Sequence, residues 1–271
     1  MPQKGESCTL WAAAGNSVVG GGTIIVKNRD WAPNHQQRIE LITPKKGYRY
    51  LGLIAMGKDM PGLKGGVNEE GLVVVTASPP SYLEQQRALY PVKGVIQKIL
   101  KGCKNVREVL KQEDWFIGPR FILMADAKEI ACVEVGLNGR VKIQSTTSGS
   151  LSHTNHYLES EFIALNPEKP YVSSLERYKQ IERFLSTKQH FDLLDFIKIS
   201  QSEEGGPDNS IWRKGSAATS SRTLATWMIH QPVSGDSILF LRMANPGKEI
   251  KEYQYPLKDV FNGKVDLNKV E

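Results

Sequence analysis

The chain is expected to fold as an α+β protein, and three observations predict it. The first eighty residues are short apolar runs of strand period, separated by Gly, Pro and Asn turns. Two stretches with apolar residues at helical spacing follow, near 89–112 and 173–200, and strand-like runs lie between and after them. The order is therefore strands, two helices, strands, two helices, strands, which fits two sheets with a helical layer on each side. There is no internal repeat, low-complexity tract or clear linker, so residues 8–271 are read as one domain, preceded by a seven-residue leader or pro-segment at 1–7.

The pattern is organised around Cys8 to Trp31. An apolar run follows Cys8, then a Gly20-Gly21-Gly22 turn, the β-branched run Thr23 to Val26, and the polar cluster Lys27-Asn28-Arg29-Asp30. This reads as a hairpin, whose two open ends become neighbours, so Cys8 and Asp30 are expected side by side. Strands are predicted at 38–43 and 48–56. A second hairpin spans Leu63 to Val67 and Leu72 to Ala77 around Asn68-Glu69-Glu70-Gly71, and Pro79-Pro80 ends the block. Helices are predicted at 89–100 and 106–112, and strands at 121–125, 129–135 and 141–144. A long helix is then expected, capped by Ser173 or Ser174 with Glu176 near its third position, followed by a helix over 191–200. The last strands are 223–230 and 237–243, and 253–270 is read as a tail across the surface.

Composition narrows the function classes. The 271 residues are 40% hydrophobic and 24% charged, enough for a sizeable core. No apolar run approaches the roughly 20 residues that span a bilayer. The net charge of +6 is scattered rather than clustered, so it is read as solubility charge and no nucleic-acid partner is expected. Cys8, Cys103 and Cys132 have no paired spacing, which argues against a disulfide framework or a thiolate zinc site. His153 and His156 form an H-x-x-H loop without a third ligand, so no metal and no cofactor is expected. No apolar signal region precedes Cys8. The compartment stays open between a cytosolic protein that trims its own leader and one whose export signal is missing from this chain.

Cys8 is the nucleophile candidate. If residues 1–7 are removed, it becomes the first residue, with an α-amine of pKa about 7.7–8.0. That amine can take the thiol proton near neutral pH, with Asp30 orienting it. The competing reading is a small buried hydrophobe in a strand. A cysteine–histidine pair is a third route, since the chain carries five histidines.

Four segments in register carry a resemblance. CTLW with GGTIIVKNRDW (8–11, 21–31), GGVNEEGLVVVTASP (65–79), LSHTNHYL (151–158), and SSLERYKQIERFL (173–185) followed by SSRTLATWM (220–228) resemble the N-terminal-nucleophile cysteine hydrolases. That group holds choloylglycine hydrolases, penicillin V acylases and penicillin acyl-CoA acyltransferases. The resemblance implies a four-layer αββα sandwich of two mostly antiparallel sheets. It implies Asn155 as an oxyanion donor, a backbone N–H at Ala77 or Ser78 as the second donor, and Arg222 as the arginine polarising the Cys8 thiol. Arg177 also matches a family arginine but is read mainly as a helix residue, and Arg29 as structural. Lys27 stands where the bile-salt branch carries arginine; with H-T-N-H this favours the acyltransferase-like branch.

The function expected is hydrolysis of a linear, non-peptide amide through a Cys8 thioester, the substrate being a small molecule. Two alternatives stay open: an acyltransferase passing the acyl group to an amine, and a non-catalytic binding protein on the same fold. The acyl group, the amine and a homo-oligomeric state are not legible from the chain.

Overall fold

Side-chain alternation along one strand shows how the layers of this computed structural model meet. The structure describes residues 7–58, 60–79, 94–167 and 172–270. Strand β1 (Ser7–Ala14) and β2 (Thr23–Trp31) form the central hairpin, closed by a short 3-10 turn at Gly15–Ser17. On β2, Ile25 joins the cluster between the sheets, while Ile24 and Val26 join the cluster under a helical layer. Successive side chains of a strand point to opposite faces. Lys27 and Arg29 therefore face the other sheet, and Asn28 and Asp30 face the helices. β2 runs through the polar cluster instead of stopping at Val26, because both of its faces find partners. Lys27 Nζ donates to Lys64 O (3.0 Å) and Thr76 O (2.6 Å) across the sandwich. Asn28 Nδ2 donates to Ser200 O and Ile211 O on the helical side.

The first sheet has six strands in the order β10-β1-β2-β11-β12-β13, all antiparallel. Its other members are β10 (Gly149–His153), β11 (Arg222–Gln231), β12 (Ile238–Met243) and β13 (Lys251–Pro256). The second sheet is a seven-stranded antiparallel meander, β3 to β9 in chain order. It comprises β3 (Gln36–Ile42), β4 (Tyr50–Met56), β5 (Gly62–Asn68), β6 (Val73–Ala77), β7 (Arg120–Ala125), β8 (Ile130–Val135) and β9 (Val141–Thr146). Helices α1 (Val95–Gly102) and α2 (Val106–Leu110) bury Ile99, Leu100 and Val106 against its outer face. Helices α3 (Val172–Ser186) and α4 (Leu193–Ser200) bury Ile181 and Phe196 on the outer face of the first sheet. The expected αββα sandwich of antiparallel sheets is what the chain forms.

Several elements differ from the sequence reading. Residues 149–153 are strand β10, the edge partner of β1, because pairing rather than composition makes this polar run extended. A short helix, α5 (Gly206–Asn209), interrupts the expected 202–210 loop, and the supposed tail contains edge strand β13 and helix α6 (Leu257–Phe261). Ser173 and Ser174 do not cap α3. The helix already includes them, and their hydroxyls serve long-range contacts, Ser173 Oγ donating to Asp208 O and Ser174 Oγ accepting from Asn155 N. The predicted leader up to Glu6, Pro80, and the first turns of the 89–100 helix up to Lys93 lie outside the described residues.

The Asn68 turn ties the second sheet to its helices. Gly71 takes φ of +90°, which L side chains rarely adopt. Asn68 Nδ2 donates to Leu100 O (2.9 Å) and Cys103 O (2.7 Å), and its Oδ1 accepts from Leu72 N (2.9 Å). Replacing it strands two buried carbonyls and one amide, at about 1–3 kcal/mol each before relaxation. Asn68→Ala should therefore lower unfolding free energy by roughly 3 kcal/mol in a denaturant titration with unchanged slope. A loss under about 0.5 kcal/mol would show that water replaces all three bonds.

Candidate functional site

Three segments far apart in sequence meet at the start of β1. The register sets Ser7 opposite Asp30 and Cys8 opposite Arg29. Cys8 is thus one position from the pairing that hairpin ends alone suggested, and its side chain enters the layer between the sheets, where it is fully buried with Ala77 and Phe121. Asn155, just beyond β10, accepts from Cys8 N through Oδ1 at 2.8 Å and donates from Nδ2 to Ser78 O at 2.8 Å. Cys8, Asn155 and Ser78 are therefore linked through one amide side chain. Ala77 ends β6 opposite Phe121, and the half-buried Ser78 follows it.

Arg177 is the arginine that reaches the nucleophile candidate. It projects from α3, and its Nη1 donates to Cys8 O (2.7 Å) and Thr9 Oγ1 (2.8 Å), its Nη2 to Asn155 Oδ1 (3.1 Å). It is 1% exposed. Burial lowers its pKa to about 10, against the opposing pull of Asp30 and Cys8, so the guanidinium stays charged at neutral pH. Arg222, the expected partner, begins β11 and turns its Nη2 to Ala217 O and Ala218 O at 3.2 and 3.4 Å. A helix residue reaches β1 here because α3 lies directly over the β10–β1 edge, a placement that period counting along the helix does not reveal.

Asp30 is fully buried on the helix-facing side. Thr223 Oγ1 donates to its Oδ1 at 2.8 Å, and Arg213 Nη1 lies 3.4 Å from its Oδ2. Burial pushes its carboxyl up, and Arg213, Arg177 and the Thr223 hydrogen bond pull it back. Arg213 and Thr223 are held to each other by reciprocal bonds, Arg213 N to Thr223 Oγ1 and Thr223 N to Arg213 O, both 2.9 Å. Sequence reading missed Arg213: it lies in a glycine- and serine-bordered loop with no periodic signal. Lys27 was noticed only as a departure, yet its bond to Thr76 O fixes the strand end that leads to Ala77 and Ser78. Arg29, across from Cys8, engages His35 Nδ1 at 3.0 Å and lies over the Trp31 ring.

The two histidines flanking Asn155 are engaged in positioning. His153 Nε2 meets Glu134 Oε1 of the other sheet at 2.9 Å, and its Nδ1 meets Thr154 O at 3.0 Å. His156 Nδ1 lies 2.9 Å from Ser174 Oγ, the atom that accepts from Asn155 N at 2.8 Å. Neither contact directs a base at Cys8. Burial pushes the Cys103 and Cys132 thiols up, with nearby carboxylates adding to it.

Burial first, then His153 and Arg177, lower the His156 pKa to about 4. A folded pKa below the unfolded value near 6.5 means that the unfolded chain binds the extra proton between those pH values. This contribution to stability is complete above pH 6.5 and is lost as pH falls toward 4. Thermal midpoints should accordingly drop over that window, and His156→Gln should flatten the drop. Superimposable pH profiles for the two proteins would remove His156 as the cause.

Comparison with known proteins finds the same fold elsewhere. The fold is shared with a mutant conjugated bile acid hydrolase from Clostridium perfringens (TM-score 0.53, 16% identity, covering 92% of this chain and 97% of that one). It is also shared with a Caenorhabditis elegans ortholog of N-acylethanolamine-hydrolyzing acid amidase (TM-score 0.57, 13% identity, 83% and 94% covered). No curated protein sequence matches the chain significantly. Residues 18–236 match the model of the acyl-coenzyme A:6-aminopenicillanic acid acyl-transferase family. That match spans most of the 271 residues, so the chain belongs to this family.

Proposed function

We propose that the protein is a cysteine amidohydrolase in which Cys8, freed as the first residue, cleaves a linear, non-peptide amide. The observation that carries this reading is the Asn155 side chain bridging Cys8 N and Ser78 O at 2.8 Å each. A nucleophile, a side-chain amide donor and the end of strand β6 thereby share one point. While Ser7 is attached, the Cys8 nitrogen is an amide and is not basic. Removal of residues 1–7 turns it into an amine that can accept the thiol proton.

In the first half-reaction the α-amine takes the thiol proton and Sγ bonds to the substrate carbonyl carbon. Negative charge moves onto the carbonyl oxygen. Asn155 Nδ2 carries two hydrogens, and with a backbone N–H at Ala77 or Ser78 it receives that charge. The C–N bond then breaks, and the leaving nitrogen takes the proton from the Cys8 ammonium. Water next attacks the thioester, giving a proton to the amine; the C–S bond breaks, the acid leaves, and the ammonium returns its proton to the sulfur to regenerate amine and thiol. Arg177 holds the Cys8 carbonyl and the Asn155 amide in place, and its charge favours the thiolate. Asp30, between Thr223 and Arg213, is assigned to orient the new ammonium.

The family description favours a second reading, transfer of the acyl group to an amine instead of water. The two differ only in what attacks the thioester. Adding a primary amine during turnover should divert acyl product into a new amide if transfer dominates, and leave free acid as the sole product if hydrolysis does.

Cys8→Ala should lower amide turnover by about 10³-fold or more. Intact mass of active protein should lack Met1 to Ser7. Full activity in a sample that retains those residues would remove the α-amine as base.

A further inference from the structure

Strand β8 carries one residue that its pattern does not call for. Ile130 and Cys132 face the layer between the sheets, and Ala131, Val133 and Val135 face the helices. Glu134 takes the next interlayer position and is 4% exposed. Valine would satisfy the strand there, and a carboxylate taken out of water is costly unless donors meet it. Among the described residues its partners all come from one segment. His153 Nε2 lies 2.9 Å from Oε1, Leu158 N donates to Oε1 at 2.8 Å, and Glu159 N donates to Oε2 at 3.4 Å. Asn155 lies between these anchors in sequence.

The anchorage is aligned with the site. Across β6, β7 and β8 the register runs Ala77, Phe121, Glu134 in one row. Directly opposite residues share a face of the sheet. His153 packs its ring on Phe121, with centroids 4.0 Å apart. Tyr157 meets Phe121 edge-on at 4.9 Å, and its hydroxyl donates to Val135 O at 3.0 Å. The segment 153–159 therefore lies along this row, between Glu134 and the Ser78 carbonyl that Asn155 Nδ2 reaches. On its other side α3 grips the same loop: Ser174 Oγ accepts from Asn155 N at 2.8 Å, and Arg177 Nη2 donates to Asn155 Oδ1 at 3.1 Å. Helix α3 thus fixes Asn155 relative to β1, through Arg177, and Glu134 fixes it relative to β6. An oxyanion held by Asn155 and by a backbone N–H of β6 needs both references.

We propose that Glu134 is a positioning residue for acyl transfer. It holds the 153–159 loop against β7 and β8 so that Asn155 Nδ2 and the backbone donor at Ala77 or Ser78 converge on one oxygen. It acts through His153 and the Leu158 amide, not on the reacting atoms. Its effect on turnover rests on the proposed amidohydrolase reading; its hold on the loop does not. What it supplies is distance rather than charge, since both close contacts meet at Oε1. Glutamine keeps that oxygen in place without the charge. Aspartate keeps the charge and withdraws the oxygen by one bond, ~1.5 Å. A misplacement of about 1 Å is enough to cost roughly 10²-fold in rate.

Hydrogen exchange followed by NMR reads the loop, and release of p-nitroaniline from acetyl, hexanoyl and decanoyl p-nitroanilides reads turnover. The diagnostic proton is Asn155 N–H, which bonds to Ser174 and not to Glu134. In Glu134→Asp it should exchange at least tenfold faster than in wild type. The same variant should lose at least tenfold in kcat with KM within threefold, the pattern of an interaction made in the transition state. Glu134→Gln should restore both quantities to within threefold of wild type. His153→Phe keeps a ring on Phe121 but not the bond to Glu134, and it too should speed Asn155 exchange; it decides the matter if Glu134→Asp does not fold. Unchanged Asn155 exchange in these variants overturns the hold on the loop. Faster exchange with unchanged kcat, or a change in KM alone, overturns the positioning role. Glu134→Gln as impaired as Glu134→Asp makes charge the contribution and overturns the positional account. A wild type that releases no amine from these or any other linear amide defeats the hydrolase reading alone, and exchange then decides the loop.

Discussion

A charged guanidinium sealed inside the protein is the constraint on which the site depends. Arg177 must place its donors on acceptors, because a buried charge without partners costs several kcal/mol. Its acceptors are the Cys8 carbonyl, the Thr9 hydroxyl, the Asn155 amide oxygen and the Ser173 hydroxyl. The fork is planar and rigid, so it admits one relative placement of α3, β1 and the loop after β10. Breaking any of these contacts would leave charge unpaired, which is why three segments remote in sequence hold together without a disulfide. Lysine could carry the charge but not the planar fork.

A second tier of polar contacts surrounds this hub and makes the sandwich asymmetric. Most of the layer between the sheets is aliphatic and aromatic, with Ile25, Trp227 and Leu241 among its members. Polar bridges nevertheless cross it, Lys27 to the carbonyls of Lys64 and Thr76, and His153 to Glu134. The bonds to Lys64 and between His153 and Glu134 are buried and that to Thr76 is partly so, which limits competition from water. They lock the end of β6 and the loop carrying Asn155, the two segments that face Cys8. Ser174 adds a further tie by accepting from the Asn155 backbone. Burial of so many polar groups is costly, and the outlay falls at the end of the sandwich where Cys8 lies.

The same layout accounts for shared fold at low identity. The bile acid hydrolase matches only 16% of aligned residues. An interlayer core tolerates many apolar sequences if volume and patterning persist. Folds of this kind host several chemistries, so the site rather than the sandwich carries the functional conclusion.

Local chemistry was sufficient for much of the fold. Strand and helix periods located nearly every long element, and the glycine turns placed the hairpins, because both signals act within a few residues. The hairpin pattern named Cys8 and Asp30 as candidates, and the family resemblance named Asn155 with Ala77 or Ser78; the structure brings Cys8, Asn155 and Ser78 together. The sequence did not separate Arg177 from Arg222, nor single out Arg213. A helical arginine and a strand arginine look alike until the helix is docked, and docking depends on how whole layers pack. Likewise β10 and β13 become strands only because a neighbouring edge offers hydrogen bonds. Residue identity determined which groups were available; only the tertiary arrangement decided which of them meet, since contacts between residues more than a hundred positions apart have no trace in local pattern.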